Sequence, residues 1–256
     1  MQLTHHTPFV PQSVSPNLQI DFKLPLALLT HGAAHEATVN AKVIFRTWLT
    51  LLETQTVLYI SHRVNTSEHL SRTSVDHGVE LDLRDHGNDL VLQHDPFQEE
   101  GERFSEYLRN YRHGLMILNV KSERIEWRVL DAIRDSEVQD YFFLDSSFPM
   151  IRQLIAKGER RIAVRFSEFE PLESALALAG EIEWVWVDCF TRMPLNDHSY
   201  HELQKNFKLC IVSPELHGRS LDTIPTFAET LKPYKVDAIC TKRPNIWQGL
   251  QGSIGS

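Results

Sequence analysis

Glu80 and Asp82 stand two residues apart in the stretch VELDL (79–83). Side chains on a strand alternate between its faces, so both carboxylates point the same way. Burying them unpaired in a dry core would cost several kcal/mol, which predicts a cation between them. Two histidines close the neighbouring strand candidates, His62 after TVLYIS (56–61) and His94 at the end of LVLQH (90–94). Arg63 follows His62 at the end of the first run, and Lys121 and Arg165 close two further apolar runs. Arginine matches the oxygens of an anion such as phosphate bidentately. The amide oxygen of Asn119 adds a third hard donor to Glu80 and Asp82. Oxygen donors without a nearby thiol suit Mg²⁺ or Ca²⁺ rather than zinc. A histidine pair flanking a bound anion is the set that phosphodiester cleavage uses. One imidazole takes a proton from the attacking oxygen and the other protonates the leaving alkoxide.

Bringing these groups together requires a frame. From residue 56 onward, short apolar or β-branched runs alternate with amphipathic stretches. The runs are 56–61, 79–83 with 90–94, 115–120, 141–145, 161–166, 184–188, 208–213 and 237–241. Helical patterns lie at 66–76, 102–111, 123–135, 148–157, 170–179, 198–206, 219–232 and 245–250. Strand–helix alternation predicts a parallel sheet, and eight units most simply close into a (β/α)8 TIM barrel of the α/β class. In such a barrel the C-terminal strand ends converge on one mouth, where the polar residues named above would meet. No Gly-rich phosphate loop follows the first strand, which counts against a doubly wound sheet. Residues 1–55 read as an N-terminal extension with one helix over 36–53, residues 56–250 as the barrel, and 251–256 as a flexible tail.

The 256-residue chain is acidic, with a net charge of −8, which argues against non-specific nucleic-acid binding. No apolar run reaches the length of a membrane span and the start has no signal-peptide pattern. Cys189, Cys210 and Cys240 close or follow buried strand candidates, so they read as reduced core thiols of a cytoplasmic protein. A homo-oligomer is left open. Of the thirteen histidines, the eleven other than His62 and His94 are read as bystanders, His69, His77 and His217 among them. Arg84, Asp85 and Asp89 are read as solvated, and Trp184 and Trp186 as packing residues.

The ordered set of motifs resembles the glycerophosphodiester phosphodiesterase family. His62-Arg63 matches its His-Arg at the end of the first strand, and Glu80-Leu81-Asp82 its Glu-x-Asp metal pair. His94-Asp95-Pro96 matches its second histidine, Asn119-Val120-Lys121 its Glu-x-Lys, and Thr241-Lys242-Arg243-Pro244 its Thr-Asp-x-Pro. The resemblance spans about residues 56–247. It implies a divalent-metal phosphodiesterase of a small phosphodiester substrate. His62 and His94 would be its acid–base pair, Glu80, Asp82 and Asn119 its metal ligands, and Arg63 and Lys121 its phosphate contacts. In that family a neighbouring hydroxyl of the substrate can attack first and give a cyclic intermediate.

This chain departs from the pattern in three places. Val64 replaces the glycine after His-Arg, and the following loop is shortened to VNTSE. Asn119 replaces an acidic ligand, which lowers the negative charge at a metal by one. Lys242 replaces an acid, where it could pair with Glu80 or Asp82 or bind a substrate anion, alongside Arg165. The departures keep two other readings open. One is a catalytically silent phosphate-ester-binding barrel with a regulatory or polysaccharide-pathway role; the other is a lyase that stops at the cyclic phosphate.

Overall fold

The strands that carry the candidate residues form one curled sheet. The computed structural model describes residues 57–97, 101–136 and 138–250. The helix expected over 36–53 and the tail 251–256 lie outside them. In chain order the elements are β1 (Leu58–Ser61), α1 (Ser67–Arg72), β2 (Gly78–His86), β3 (Asp89–Leu92), β4 (Glu102–Arg103), α2 (Phe104–Asn110), β5 (Met116–Val120) and α3 (Glu126–Arg134). They continue with β6 (Tyr141–Leu144), α4 (Phe148–Ala156), β7 (Ala163–Phe166), α5 (Leu172–Leu176), β8 (Trp184–Val187), α6 (Asp197–Gln204) and β9 (Lys208–Val212). A 3-10 turn (Pro214–His217), α7 (Thr223–Leu231), β10 (Ala238–Thr241) and α8 (Pro244–Gly249) complete the chain.

Parallel pairings run β7–β8–β9–β10–β1–β2–β5–β6. The two ends meet through one parallel bridge, Phe143 with Ile162, immediately before β7. This strongly curled parallel sheet has the pairing order that a (β/α)8 barrel requires. β3 and β4 stand outside the ring as an antiparallel flap on the long strand β2. Residue 102, expected to open a helix, belongs to that flap. Helix α1 ends four residues earlier than its pattern predicts, because the chain must be extended again by Gly78 to enter the ring.

Two apolar groups follow from the alternation of strand side chains. Ile60, Ile117, Phe142, Trp184, Trp186, Cys210 and Cys240 belong to the smaller, inside the ring. The other face of the strands packs on the helices. Phe142 and Trp184 stack with centroids 4.7 Å apart, so the tryptophans pack as expected. Gly78 is needed where β2 enters the ring. A Cβ there would meet Ile60 Cδ1 at 2.3 Å and the Leu115 carbonyl at 2.7 Å. The three cysteines are free and buried, and burial pushes their thiols up. They are core thiols. Among the described residues no helix is long and apolar enough to cross a membrane.

Candidate active site

The register of β2 against β5 sets the floor of the mouth. Asp82 pairs with Asn119, and Glu80 with Ile117 one step deeper. Both carboxylates are fully buried. Glu80 Oε1 accepts from Asn119 Nδ2 at 2.8 Å, and its Oε2 accepts from the main-chain N–H of Arg63 at 2.7 Å. Arg63 has a positive φ of 54°, a conformation disfavoured for a residue with a side chain. Asp82 is gripped at two points by Asn65. The Asn65 amide donates to Asp82 Oδ2 at 2.8 Å and accepts from the Asp82 main-chain N–H at 2.9 Å. The remnant of the shortened loop therefore holds a site residue in place, a role the sequence reading did not assign to it.

Burial pushes the Glu80 carboxyl up, although the donors from Asn119 and Arg63 oppose it. Burial and then the charge of Glu80 push Asp82 up as well. Asp82 Oδ1 and Asn119 Oδ1 are buried with no hydrogen-bond partner. Lys121 Nζ is 3.8 Å from Asp82 Oδ1 and Arg63 Nε is 3.8 Å from Asp82 Oδ2. Two orphaned hard oxygens beside a carboxylate pair that resists ionisation fit a small divalent cation. The fit is with two carboxylates and one amide. Among the described residues no group of three or more His, Cys, Asp or Glu forms a metal cluster.

Both histidines border this floor. His62 Nε2 is 3.7 Å from Glu80 Oε2. Burial, then the charges of Arg63 and Lys242, lower the His62 pKa to about 3, so its ring is neutral at ordinary pH. Arg63 Nη2 donates to His94 Nε2 at 2.5 Å. The other ring nitrogen of His94, Nδ1, is 2.7 Å from Asp95 Oδ1. A guanidinium can only donate, so Nδ1 carries the proton and gives it toward Asp95. Arg84 corrects the solvated reading. Its guanidinium donates to the His94 carbonyl at 2.8 and 3.1 Å and to the Lys121 carbonyl at 2.9 Å, tying the ends of β3 and β5 together.

The far side of the mouth is a closed ion-pair network. Arg165 donates to both oxygens of Asp145, at 2.7 and 2.9 Å, and also bonds Asp188. Asp188 Oδ1 is 3.0 Å from His217 Nε2, so His217 has a partner in this network. Lys121 Nζ donates to Asp145 Oδ2 at 3.0 Å, which places its ammonium between the network and Asp82. Arg165 is thus brought to the mouth as expected, but its guanidinium is already shared by two carboxylates. Lys242 forms no ion pair with Glu80 or Asp82. Its main-chain N–H is held by Glu215 Oε1 at 3.0 Å, and that same oxygen accepts from Thr241. Asp95, Asp145, Asp188 and His217 are positioned by contacts that strand-end polarity alone could not assign.

The described fold is similar to that of solved phosphodiesterase structures. Two solved structures show the likeness. One is a glycerophosphodiester phosphodiesterase from Agrobacterium tumefaciens, with a TM-score of 0.57 at 16% identity over 77% of this chain and all of that one. The other is a glycerophosphoryl diester phosphodiesterase from Parabacteroides distasonis, with a TM-score of 0.58 at 14% identity over 79% of this chain and 89% of that one. No family model and no curated protein sequence matches the chain. The likeness is one of fold.

Proposed function

We propose that this protein is a metal-assisted phosphodiester hydrolase acting on a small polar substrate. The observation that carries the reading is the pair of orphaned oxygens, Asp82 Oδ1 and Asn119 Oδ1, on paired strand positions, with Lys121 Nζ 3.8 Å from Asp82 Oδ1 and Arg63 Nε 3.8 Å from Asp82 Oδ2. Glu80, Asp82 and Asn119 would hold Mg²⁺ or Ca²⁺. Such an ion supplies charge stabilisation to a phosphoryl oxygen.

The chain's own groups do the rest. Neutral His62 accepts a proton from the attacking water. Once Arg63 leaves its Nε2, His94 takes up a proton there from solvent and delivers it to the leaving oxygen, while the Asp95 carboxylate accepts from Nδ1 and holds the ring in place. Arg63 leaves His94 for the phosphate when substrate enters, and Lys121 faces the same anion from the opposite side. Arg165 holds Asp145, and through it Lys121, in position. Purified protein supplied with Mg²⁺ or Ca²⁺ is expected to cleave bis(p-nitrophenyl) phosphate or a glycerophosphodiester, and His62→Ala to abolish the activity. A flat screen across metals and diesters sinks the reading.

One observation favours a silent phosphate-ester binder instead. Asn119 contributes an amide where a third carboxylate would bind a cation more tightly, and its nitrogen already caps Glu80. That reading expects phosphate-ester binding that survives EDTA, whereas the hydrolase expects loss of turnover on chelation. A product that remains a cyclic phosphate by phosphorus NMR would identify a lyase.

A further inference from the structure

A cavity of about 440 Å³ lies on the β1–β10 side of His62, between the ends of those strands, α1 and α8. Its walls include the permanent cations Arg63, Arg72 and Lys242 and the imidazoles of His62, His69 and His77. None of its lining residues is a carboxylate. In a chain where acids outnumber Lys and Arg by 34 to 26, an acid-free cavity with three fixed cations is a marked segregation of charge.

Resting on the hydrolase reading above, we infer that this cavity is a second anion subsite, which selects diesters carrying a further phosphate group next to the scissile one. The Lys242 side chain is exposed and its ammonium is in no ion pair among the described residues. Lys121 bonds Asp145 and faces the scissile phosphate, Arg165 bonds Asp145 and Asp188, and Arg84 bonds main-chain carbonyls. Glu215 pins only the main-chain nitrogen of Lys242, which fixes where the side chain starts and leaves its ammonium for a ligand. Arg72 is paired with Glu68, but both side chains are about three-quarters exposed. Such pairs contribute little and yield to a dianionic phosphate. His77 is fixed from both sides, with Nδ1 3.4 Å from Ser61 Oγ and Nε2 3.0 Å from Gln248 Nε2. The volume falls within the range of small-ligand sites. His62 forms the shared wall, since its Nε2 faces Glu80 while the residue lines the cavity. A substrate reaching from the carboxylate pair into the cavity therefore places its scissile phosphorus on one side of His62 and a second phosphate on the other.

The test separates binding from turnover. Full-length protein is titrated with sn-glycerol 3-phosphate and, in parallel, with glycerol, while the imidazole resonances of His69 and His77 are followed by NMR. Glycerol 3-phosphate is expected to shift both and glycerol neither. The double variant Arg72→Glu, Lys242→Glu is expected to weaken the response by about tenfold or more, as loss of charge-assisted contacts requires. Both positions are exposed, so folding is retained, and Lys242→Ala serves as a milder variant. In kinetics, Lys242→Ala should lower the preference for a p-nitrophenyl diester of glycerol bisphosphate over bis(p-nitrophenyl) phosphate. Shifts that are absent at millimolar ligand, or unaffected by charge reversal, overturn the subsite even if diesters are cleaved. Shifts without cleavage of any diester keep the subsite and overturn the hydrolase reading.

Discussion

The guanidinium of Arg63 caps Nε2 of His94 at 2.5 Å, while Asp95 Oδ1 accepts the hydrogen bond that Nδ1–H donates. In the proposed mechanism, the nitrogen that would face a leaving group is therefore closed by the residue that would bind the phosphate. Arg63 reaches this position because its backbone turns with φ 54°, which also aims its N–H at Glu80. One strained residue thus links both histidines and both carboxylates. In the proposed mechanism, substrate phosphate would take over the guanidinium and free His94, which would couple binding to proton delivery through Arg63.

Removing either imidazole should stop turnover. His62→Ala and His94→Ala are each expected to lower kcat by about a hundred- to ten-thousand-fold, the usual contribution of a positioned acid or base. Binding of glycerol 3-phosphate by His94→Ala should change little. Steady-state kinetics alongside calorimetry would check this. A variant retaining near-normal kcat would remove that histidine from the mechanism.

Asn119→Asp should make folding metal-dependent. The change removes the donor to Glu80 Oε1 and adds a third buried negative charge. A loss of about 1–3 kcal/mol is expected in EDTA, with recovery on adding Mg²⁺ or Ca²⁺. Thermal melts with and without metal decide it. Melting that ignores metal in both forms would argue that no cation sits on these oxygens.

The Asp145–Arg165 pair should show in the pH dependence of stability. Burial pushes the Asp145 carboxyl up, but the hydrogen bonds and charge of Arg165, with Lys121, prevail and hold it below the usual carboxylate value. A depressed carboxylate stabilises the fold above its unfolded pKa of about 3.9, and that contribution is lost as pH falls through the lower folded value. Asp145→Asn should cost about 1–3 kcal/mol near neutrality. The gap to the parent protein should be constant above about pH 5 and shrink below about pH 4. Urea melts across that range would show it, and a gap that does not change on acidification would contradict the assignment.

Gly78→Ala tests the packing beneath the site. The added methyl would overlap Ile60 Cδ1 and the Leu115 carbonyl, and the carbonyl cannot rotate away. A destabilisation of about 1–3 kcal/mol or more is expected in denaturant melts. An unchanged midpoint would mean that β2 enters the ring less tightly than described.

Residue type and spacing alone determined the alternation of strands and helices, because periods of 2 and 3.6 are written into which positions are apolar. The same reading placed His62, Glu80, Asp82, His94, Asn119 and Lys121 at strand ends, since polar residues closing apolar runs in a parallel sheet must gather at one mouth. Pairing partners were not legible there. Whether Arg165 meets a ligand or two carboxylates depends on β6, β7 and β8 lying side by side, which is a matter of register between segments about twenty residues apart. Asn65 gripping Asp82, Arg84 tying two carbonyls and Arg63 capping His94 arise in the same way, from backbone turns and side-chain reach that no local pattern encodes. The acid-free cavity beside His62 is likewise a product of closure, because its walls come from opposite ends of the barrel sequence and meet only when β1 pairs with β10.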